Sequence, residues 1–354
     1  MVQLSVGDNW TLPSIFAIDD TDGNISNRVE SNLLAIDDFH VSGNEYHFTT
    51  SGSYVISFSA RDNADNVGTL TLTIEVVAPT YNWSSISYYS SLSSSDDVLT
   101  DLALLLRSTV DYVSYGDARY VYTTYENGKQ VILYDVPTSP SYGKVTAEGL
   151  AGWGDGGNIT GDGFSISINR EHVWACNDMR IMPSNQDRTL TTGYVNYVLN
   201  DGSFDYRPDN ENLGHFSDLH NLWNALASPN STHSDHFYGE ENGSSVGPYL
   251  TNEIFYPGDE YIGDIARILF YMTLMYPHLT LVEEGDTNAV EGTIYYGYLD
   301  MLLQWNEEDP VSYYEITRNQ TIYETQGNRN PFIDYYSQDI AAFVFANGDP
   351  NISD

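Results

Sequence analysis

Basic residues are scarce in this chain of 354 residues. Lysine and arginine together number 13 against 50 aspartates and glutamates, which gives a formal net charge of −37 at pH 7. A surface this acidic repels nucleic acid and anionic membranes at low ionic strength. At about 1 M salt the Debye length falls to about 3 Å and most of the repulsion is screened. The composition therefore predicts a halophilic protein that works in a salty medium.

Cysteine and long apolar runs are also nearly absent. Cys176 is the only cysteine, so an internal disulfide framework is excluded. No apolar run reaches the roughly 18 residues that cross a bilayer, so we expect no membrane span. The sequence shows no N-terminal signal peptide, although one removed during export would leave no trace in a mature chain.

Apolar and aromatic residues are present in amounts typical of a folded chain. They make up 41% and 14% of the sequence, which is enough for a hydrophobic core. A chain of this length commonly forms two domains. We expect an all-β module over residues 1–78, a serine- and tyrosine-rich linker over 79–95 and a larger domain over 96–354.

The first of these segments alternates apolar and polar residues as strands do. Tyr54–Ala60 and Thr69–Val77 show the alternation most clearly, and Asp22-Gly23 is typical of a turn. The pattern LPSIFAIDDTDGNISNRV, followed by SGSYVISFSARDNADNVGTLTLTIEVV, resembles the immunoglobulin-like modules of bacterial surface and secreted proteins. This resemblance implies an immunoglobulin-like sandwich in residues 1–78.

Helical spacing appears only after the linker. Asp96–Val110 and Asp259–Met275 each carry an apolar stripe, and Leu299–Trp305 starts a shorter helix. Strand-like segments lie between these helices.

Two short stretches hold the residues with the clearest chemistry, NREHVW (Asn169–Trp174) and SDLHNLWNALASPNSTHSDHFYG (Ser217–Gly239). The pair Glu171-His172 places a metal-binding carboxylate beside a group that accepts a proton near neutral pH. Hydrolysis of a phosphodiester needs such a base, together with a cation for the phosphoryl oxygens. Mg²⁺ prefers oxygen ligands and keeps several waters, so Glu171 and Asn230 are a credible protein contribution.

The same stretches predict a local fold. A strand ending in His172, a second strand through Leu219–Leu222 and a helix from about Pro229 would form a ββα finger around one metal ion. Asn230 and His233 would then share one face of the helix, because they lie one turn apart.

Both stretches resemble the endonuclease I family of bacterial non-specific nucleases, which belongs to the His-Me finger, or ββα-metal, nucleases. The similarity extends to SYGDARYVYTTYE, FYPGDEYIGDIARILFYMTLMYPHLTLVE and LLQWNEEDPVSYYEITRNQTIYETQGNRNPFID, and covers about residues 96–336. It implies an α+β nuclease domain and a secreted or cell-surface enzyme that cleaves DNA, and RNA as well, to products with 5′-phosphates.

The resemblance also implies roles for individual residues. His172 corresponds to the general base, Glu171 and Asn230 to the metal ligands, and His220 to a second histidine that lines the cleft. The expected ion is Mg²⁺, with Mn²⁺ or Ca²⁺ as alternatives, and no organic cofactor is implied. We expect a monomer.

The sequence departs from the family pattern at two arginines. Trp223 follows the SDLHNL stretch, and His233 stands three residues after Asn230, where many members carry arginine. Losing two guanidinium groups weakens the grip on phosphate, although Trp223 could stack a base instead. The remaining candidates for substrate contact are four arginines: Arg170, Arg180, Arg188 and Arg329.

Other interpretations of these residues stay open. Glu171 and His172 could be a solvated acid and a packed core histidine, and His233, His236, His172 and Cys176 together would suggest zinc. The rival for the whole chain is a weakened nuclease body that serves as a binding or adhesion module on a surface. A cleavage assay with metal and EDTA, from low to molar salt, distinguishes the two.

Overall fold

The computed structural model of the chain describes residues 1–354 except 6–7, 49–50, 78–80, 96, 122–127, 151–156, 177, 180–196, 199–203, 206–213, 253, 284–294 and 347–354. Contacts along the chain divide it into two compact units. The first unit comprises residues 1–81 with 337–348, and the second comprises residues 82–336 with 349–354.

The first unit is built from strands and 3-10 turns, with one short helix at Ile340–Val344. Its strands are β1 (Val2–Ser5), β2 (Asn9–Thr11), β3 (Ile18–Asp19), β4 (Gly23–Asn24), β5 (Glu30–Ser31), β6 (His40–Ser42), β7 (Glu45–His47), β8 (Gly52–Arg61) and β9 (Val67–Val77). The larger sheet has the order β1-β9-β8-β5, and a three-stranded sheet has the order β2-β7-β6. Strands β8 and β9 form a long antiparallel hairpin, whereas β1 pairs with β9 in parallel.

Apolar side chains from both sheets form one core in the first unit. Tyr46 of β7 packs with Ile56 and Phe58 of β8 and with Ile74 and Val76 of β9. The alternation read from the sequence thus places one face of each strand inward. An immunoglobulin-like relation for this unit remains a prediction.

The second unit mixes helices and strands. This mixture confirms the α+β class that was expected for the larger domain. Its helices are α1 (Val98–Thr109), α2 (Tyr115–Ala118), α3 (Ala147–Leu150), α4 (Ala227–His233), α5 (Ile262–Met275), α6 (Leu299–Glu308), α7 (Tyr313–Gln326) and α8 (Pro331–Asp334). Its strands are β10 (Gly157–Gly161), β11 (Phe164–His172), β12 (Tyr197–Val198), β13 (Phe204–Asp205), β14 (Leu222–Leu226), β15 (Phe237–Tyr238), β16 (Tyr249–Thr251), β17 (Ile254–Tyr256), β18 (Thr280–Val282) and β19 (Tyr295–Tyr298).

The segment predicted as a linker is folded in the structure. Residues 83–85 and 87–94 form 3-10 turns of the second unit. Trp83 and Tyr89 are buried and pack on Tyr335, with ring centroids 4.7 Å and 5.2 Å away. The aromatic side chains in this serine-rich stretch explain the difference, because burying them stabilises an ordered path.

Helices α1, α6 and α8 pack on α5, which is buried along its whole length. The structure begins this helix at Ile262, three residues after the predicted start. Arg267 on α5 forms a buried ion pair with Glu315 of α7, with Nε and Oε1 2.6 Å apart. Glu315 also closes a capping box with Ser312 at the start of α7. Within the described part of the chain, no helix is both long enough and apolar enough to cross a membrane.

The sheet β10-β11-β14 and helix α4 contain the two stretches singled out in the sequence. Strand β11 pairs antiparallel with β14, and Glu171 lies opposite Trp223 while His172 lies opposite Leu222. Helix α4 follows β14 directly and packs back on both strands. The predicted strand-strand-helix arrangement is therefore present, but its second strand and its helix have different limits. The strand begins three residues after the predicted start at Leu219, and the helix begins two residues before Pro229.

Candidate active site

Strand β11 brings Glu171 and His172 to its end as buried side chains. Only 4% of Glu171 and 9% of His172 is exposed. The apolar residues that precede them hold the strand down, since Ile168 is fully buried in a cluster with Ile159 and Leu150. Successive residues of a strand face opposite ways, and the two side chains accordingly contact different groups.

Glu171 is held through a single carboxylate oxygen. Its Oε1 accepts hydrogen bonds from the Tyr134 hydroxyl at 2.6 Å and from Nδ1 of His233 at 2.7 Å. The Tyr238 hydroxyl lies 3.5 Å from the same oxygen and 2.6 Å from the Tyr134 hydroxyl. No hydrogen bond to Oε2 is found among the described residues. One carboxylate oxygen is thus fixed by protein groups, and the other is left for a ligand.

Tyr134 reaches Glu171 from an unusual backbone conformation. Its φ is +68°, a region that bulky side chains rarely adopt and that costs on the order of 1–3 kcal/mol. Burial raises the pKa values of the Tyr134 and Tyr238 hydroxyls well above 10, and the nearby Glu171 carboxylate raises them further. Both phenols therefore keep their protons and act as hydrogen-bond donors at neutral pH.

His233 links the helix to the strand. It is fully buried at the last position of α4 and donates from Nδ1 to Glu171, while its Nε2 lies 2.9 Å from the Tyr296 hydroxyl. Both ring nitrogens are thus engaged by protein groups. A zinc site built on His233 does not fit this arrangement, and the described residues contain no cluster of three His, Cys, Asp or Glu side chains suited to a metal.

Asn230 lies against the same strand, one turn before His233. Its side-chain amide donates from Nδ2 to the carbonyl of Arg170 at 3.3 Å, next to Glu171 along the chain. This bond fixes the orientation of the amide. No hydrogen bond to its Oδ1 is found in the described part of the chain, so this oxygen, like Oε2 of Glu171, is available.

The available oxygens fit a hard divalent cation. A carboxylate oxygen and an amide oxygen are ligands that Mg²⁺, Mn²⁺ and Ca²⁺ accept, and Mg²⁺ in particular keeps several waters in its remaining positions. The bonds to Oε1 of Glu171 are the kind of outer contacts that orient a ligating carboxylate. The residues present thus fit the cation that the sequence implies.

His172 is held in a form suited to accepting a proton. Its Nε2 donates to the carbonyl of Phe216 at 2.8 Å, which leaves the lone pair of the neutral ring on Nδ1. Burial lowers the pKa of His172 to about 4, although the Phe216 carbonyl and Glu171 oppose that shift. The imidazole is therefore neutral near pH 7.

Two of the other candidates, Arg170 and Trp223, pack against neighbouring aromatic rings. Arg170 is buried, with its guanidinium over the ring of Tyr115. Trp223 stacks on Tyr314 at a centroid distance of 5.4 Å and donates its indole N–H to the carbonyl of Val131, so its ring is not free to stack a base.

His220 and Arg329 also serve the interior. His220 is fully buried against Tyr271, with ring centroids 4.3 Å apart, whereas the sequence placed it on the cleft wall. The amides of His220 and Asn221 donate to Asp218 and close a turn at this point of the chain. Arg329 forms an ion pair with Asp334, with Nε and Oδ2 2.7 Å apart. Arg180 and Arg188 lie outside the described residues.

Sequence reasoning missed the tyrosines that surround these groups. Tyr134, Tyr238 and Tyr296 support Glu171 and His233, and Tyr115 packs on His172. Tyr115 and Tyr238 lie within the quoted stretches, but no spacing in the sequence indicates which groups the four rings contact. Tyr134 and Glu171 are 37 residues apart, and only the tertiary fold brings them together.

The strand that ends in Glu171 and His172, the neighbouring strand and the helix with Asn230 all lie in a segment that matches a nuclease family. Residues 152–336, slightly more than half of the chain, match the family described as Endonuclease I. The chain belongs to the endonuclease I family, whose members generally depend on a divalent metal.

Curated relatives agree with this assignment. The chain is 38% identical over 129 residues to an extracellular ribonuclease of Bacillus amyloliquefaciens, which covers 34% of this chain and 44% of the relative. It is 32% identical over 191 residues to an extracellular ribonuclease of Bacillus subtilis, covering 51% and 54%. It is 29% identical over 126 residues to Endonuclease-1 of Buchnera aphidicola, covering 33% and 46%. The chain thus spans about half the length of the curated relatives it matches.

Proposed function

We propose that this protein is a metal-dependent endonuclease that hydrolyses phosphodiester bonds of DNA and RNA with little sequence preference. The observation that carries the proposal is the docking of α4 on β11. This packing places Asn230 and His233 against the strand that bears Glu171 and His172. Membership of the endonuclease I family supports the same activity, and the relatives' names include both ribonuclease and endonuclease.

His172 is the general base in this proposal. The Phe216 carbonyl holds the proton on Nε2, so Nδ1 removes a proton from the attacking water as its oxygen bonds to phosphorus. The P–O3′ bond then breaks, which leaves a 5′-phosphate on one product and a 3′-hydroxyl on the other. The burial that keeps His172 neutral supports this role, because a base must be unprotonated before the reaction.

Glu171 and Asn230 would hold the divalent ion, through their carboxylate and amide oxygens respectively. When bound, the ion neutralises charge on the phosphoryl and leaving oxygens. Tyr134 and His233 keep the carboxylate in place through Oε1. The strand-strand-helix unit corresponds to the His-Me finger in this proposal.

The acidic surface sets the conditions under which a polyanionic substrate is bound. With a net charge of −37, association is opposed at low ionic strength and favoured once salt screens the repulsion. We therefore propose a secreted or cell-surface enzyme of saline media, a location that the names of the extracellular relatives support. The first unit is an accessory, immunoglobulin-like module in this proposal.

The test is cleavage of plasmid DNA and single-stranded RNA by the purified chain, with Mg²⁺ or EDTA, from low to about 1 M salt. We expect cleavage with Mg²⁺ only, a rate that rises with salt, and 5′-phosphate ends. His172→Ala should cut about 1000-fold more slowly. His40→Ala, at an exposed histidine of the first unit, is the matched control and should cut normally.

Two results would contradict the proposal. Undiminished cutting by His172→Ala would show that another group is the base. A wild-type protein that cuts neither nucleic acid at any salt concentration would favour the non-catalytic surface protein instead.

A further inference from the structure

Tyr115 packs against two side chains of the strand that carries the proposed base. The guanidinium carbon of Arg170 lies 3.6 Å from the centroid of its ring. The imidazole of His172 stacks on the ring with centroids 5.2 Å apart and planes 16° from parallel. Arg170 and His172 are two residues apart in β11, so their side chains share one face of the strand. The Tyr115 ring therefore fills the space between them.

The backbone of Tyr115 is fixed as firmly as its ring. Arg170 donates from Nη1 to the Tyr115 carbonyl, so the same guanidinium covers the ring and binds the peptide. Tyr115 is also the first residue of α2, and this single turn is capped by Ser114, whose hydroxyl accepts from the Asp117 amide at 3.0 Å. The ring is thus presented to His172 from a position that cannot shift easily.

The stack complements the hydrogen bond that His172 makes to Phe216. The bond from Nε2 to the Phe216 carbonyl fixes one corner of the imidazole, but it permits rotation of the ring plane about the N–H···O direction. A flat aromatic face packed against the imidazole removes that freedom, because parallel rings lose contact when one of them rotates. Both restraints are needed to define where Nδ1 points.

We propose that Tyr115 is a positioning residue for His172, and that its ring holds the imidazole in the plane from which Nδ1 reaches the attacking water. This inference rests on the proposed function, because it assigns Tyr115 to the orientation of the proposed base. Tyr115 acts through His172 and has no contact with the substrate in this account. Arg170 has a corresponding role behind Tyr115, which differs from the phosphate contact expected from the sequence.

The test compares two substitutions in the full chain. Tyr115→Leu keeps an apolar side chain and removes the flat face, whereas Tyr115→Phe keeps the face and removes only the hydroxyl. We expect Tyr115→Leu to lower kcat about tenfold with little change in KM for DNA. Tyr115→Phe should stay close to the wild type. Tyr120→Leu removes an exposed tyrosine that also packs on an arginine, Arg119 at 5.2 Å, and should change neither constant.

A spectroscopic measurement separates positioning from a general structural effect. In protein labelled with ¹⁵N-histidine, the wild type and Tyr115→Phe should show His172 in one tautomer, with the proton on Nε2. Tyr115→Leu should keep the proton on Nε2, because the Phe216 bond is unchanged, but should show exchange broadening at His172 as the ring rotates about that bond, while the other histidines keep their resonances. If Tyr115→Leu fails to fold, Arg170→Gln, which leaves the tyrosine ring in place, should show the same changes to a smaller extent.

Two outcomes would overturn the positioning role. One is a Tyr115→Leu protein with wild-type kcat, and the other is a slower protein whose His172 resonances are unchanged. Failure of the proposed function has a different signature, namely undiminished cleavage by His172→Ala. The tautomer measurement does not depend on cleavage, so it tests the contact between Tyr115 and His172 in either case.

Discussion

The two units of the chain bury different kinds of side chain. Among the described residues of the first unit, every buried side chain is apolar or tyrosine, as in the core around Phe48 and Ile56. The second unit buries carboxylates, imidazoles and guanidinium groups, including Asp218, His233 and Arg267. Burying such groups is unfavourable unless they are hydrogen-bonded. The second unit therefore depends on polar networks, whereas the first depends on apolar packing.

Two carboxylates of the second unit show how a scaffold network differs from a site. Asp218 is saturated: Oδ1 accepts from the His220 amide and from Gln326, and Oδ2 accepts from Tyr271 and Tyr276, at 2.5–2.9 Å. The hydrogen bonds that described residues make to Glu171 all go to its Oε1. A saturated carboxylate can only hold the fold together, whereas one with a remaining oxygen can also bind a cation.

The largest expected effect is the loss of stability on Asp218→Ala. The substitution leaves two buried hydroxyls and two amides without their acceptor, which should lower the free energy of unfolding by about 4 kcal/mol. Urea unfolding followed by tryptophan fluorescence measures this change. A loss below about 1 kcal/mol would show that water replaces the carboxylate and that the network is not a scaffold.

The matched control lies in the apolar core of the other unit. Ile56→Ala should also cost about 3 kcal/mol, because it leaves a cavity in the first unit. Cleavage at temperatures where the second unit is folded should be unchanged in this variant. A proportional loss of cleavage would instead show that the first unit supports the site.

Acid should destabilise the second unit through its buried histidines. Burial lowers the pKa of His278 from 6.5 to about 4 and that of His215 to about 3. The unfolded chain takes up these protons below pH 6.5 while the folded chain does not. The contribution of each neutral histidine to the free energy of unfolding is therefore fully present above pH 6.5. It is lost as the pH drops towards 4, by on the order of 3 kcal/mol per group. The two rings lie 6.0 Å apart, so their effects are not additive.

Unfolding midpoints measured from pH 7.5 to 4.5 check this expectation. His278→Gln should show a shallower fall than the wild type over the same interval. Equal slopes for the two proteins would mean that His278 is protonated without unfolding.

A smaller effect is expected from Tyr134→Phe. This change removes one hydrogen bond from Oε1 of Glu171 and leaves the ring in place, so it should weaken Mn²⁺ binding about tenfold. Cleavage at saturating metal should be close to normal. Calorimetric titration with Mn²⁺ gives the affinity, and Tyr249→Phe, at a half-buried tyrosine elsewhere in the unit, is the control. Identical Mn²⁺ affinity in the Tyr134→Phe and wild-type proteins would show that Tyr134 does not orient the carboxylate.

The sequence predicted the parts of this molecule that depend on local pattern. The alternation before Glu171 indicated β11, and the apolar stripe of 259–275 indicated α5, because a strand and an amphipathic helix each have their own period. The boundaries of β14 and α4 were less accurate, since pairing with β11 fixes them. Helix α7 has no strong apolar stripe, and only its capping pair Ser312 and Glu315 marked its start.

The parts that could not be predicted depend on contacts between distant residues. His220 shares a motif with site residues, yet the turn at Asp218 sends it into the interior. Tyr115 lies in a stretch that resembles the family, but neither it nor Tyr134 has a spacing to the site residues that reveals its role, which follows from the faces that β11 presents. Tyr134 and Ser234, the residue after His233, both have positive φ, and this irregularity is visible only in the structure.

The most direct test of the account is a crystal structure with Mn²⁺, in which anomalous scattering locates the ion. The account predicts one peak within about 2.5 Å of both Oε2 of Glu171 and Oδ1 of Asn230, with Oε1 still bound to Tyr134 and His233. The peak should disappear in Glu171→Gln. An ion bound elsewhere, or one that contacts Glu171 through Oε1, would contradict the assignment of the site.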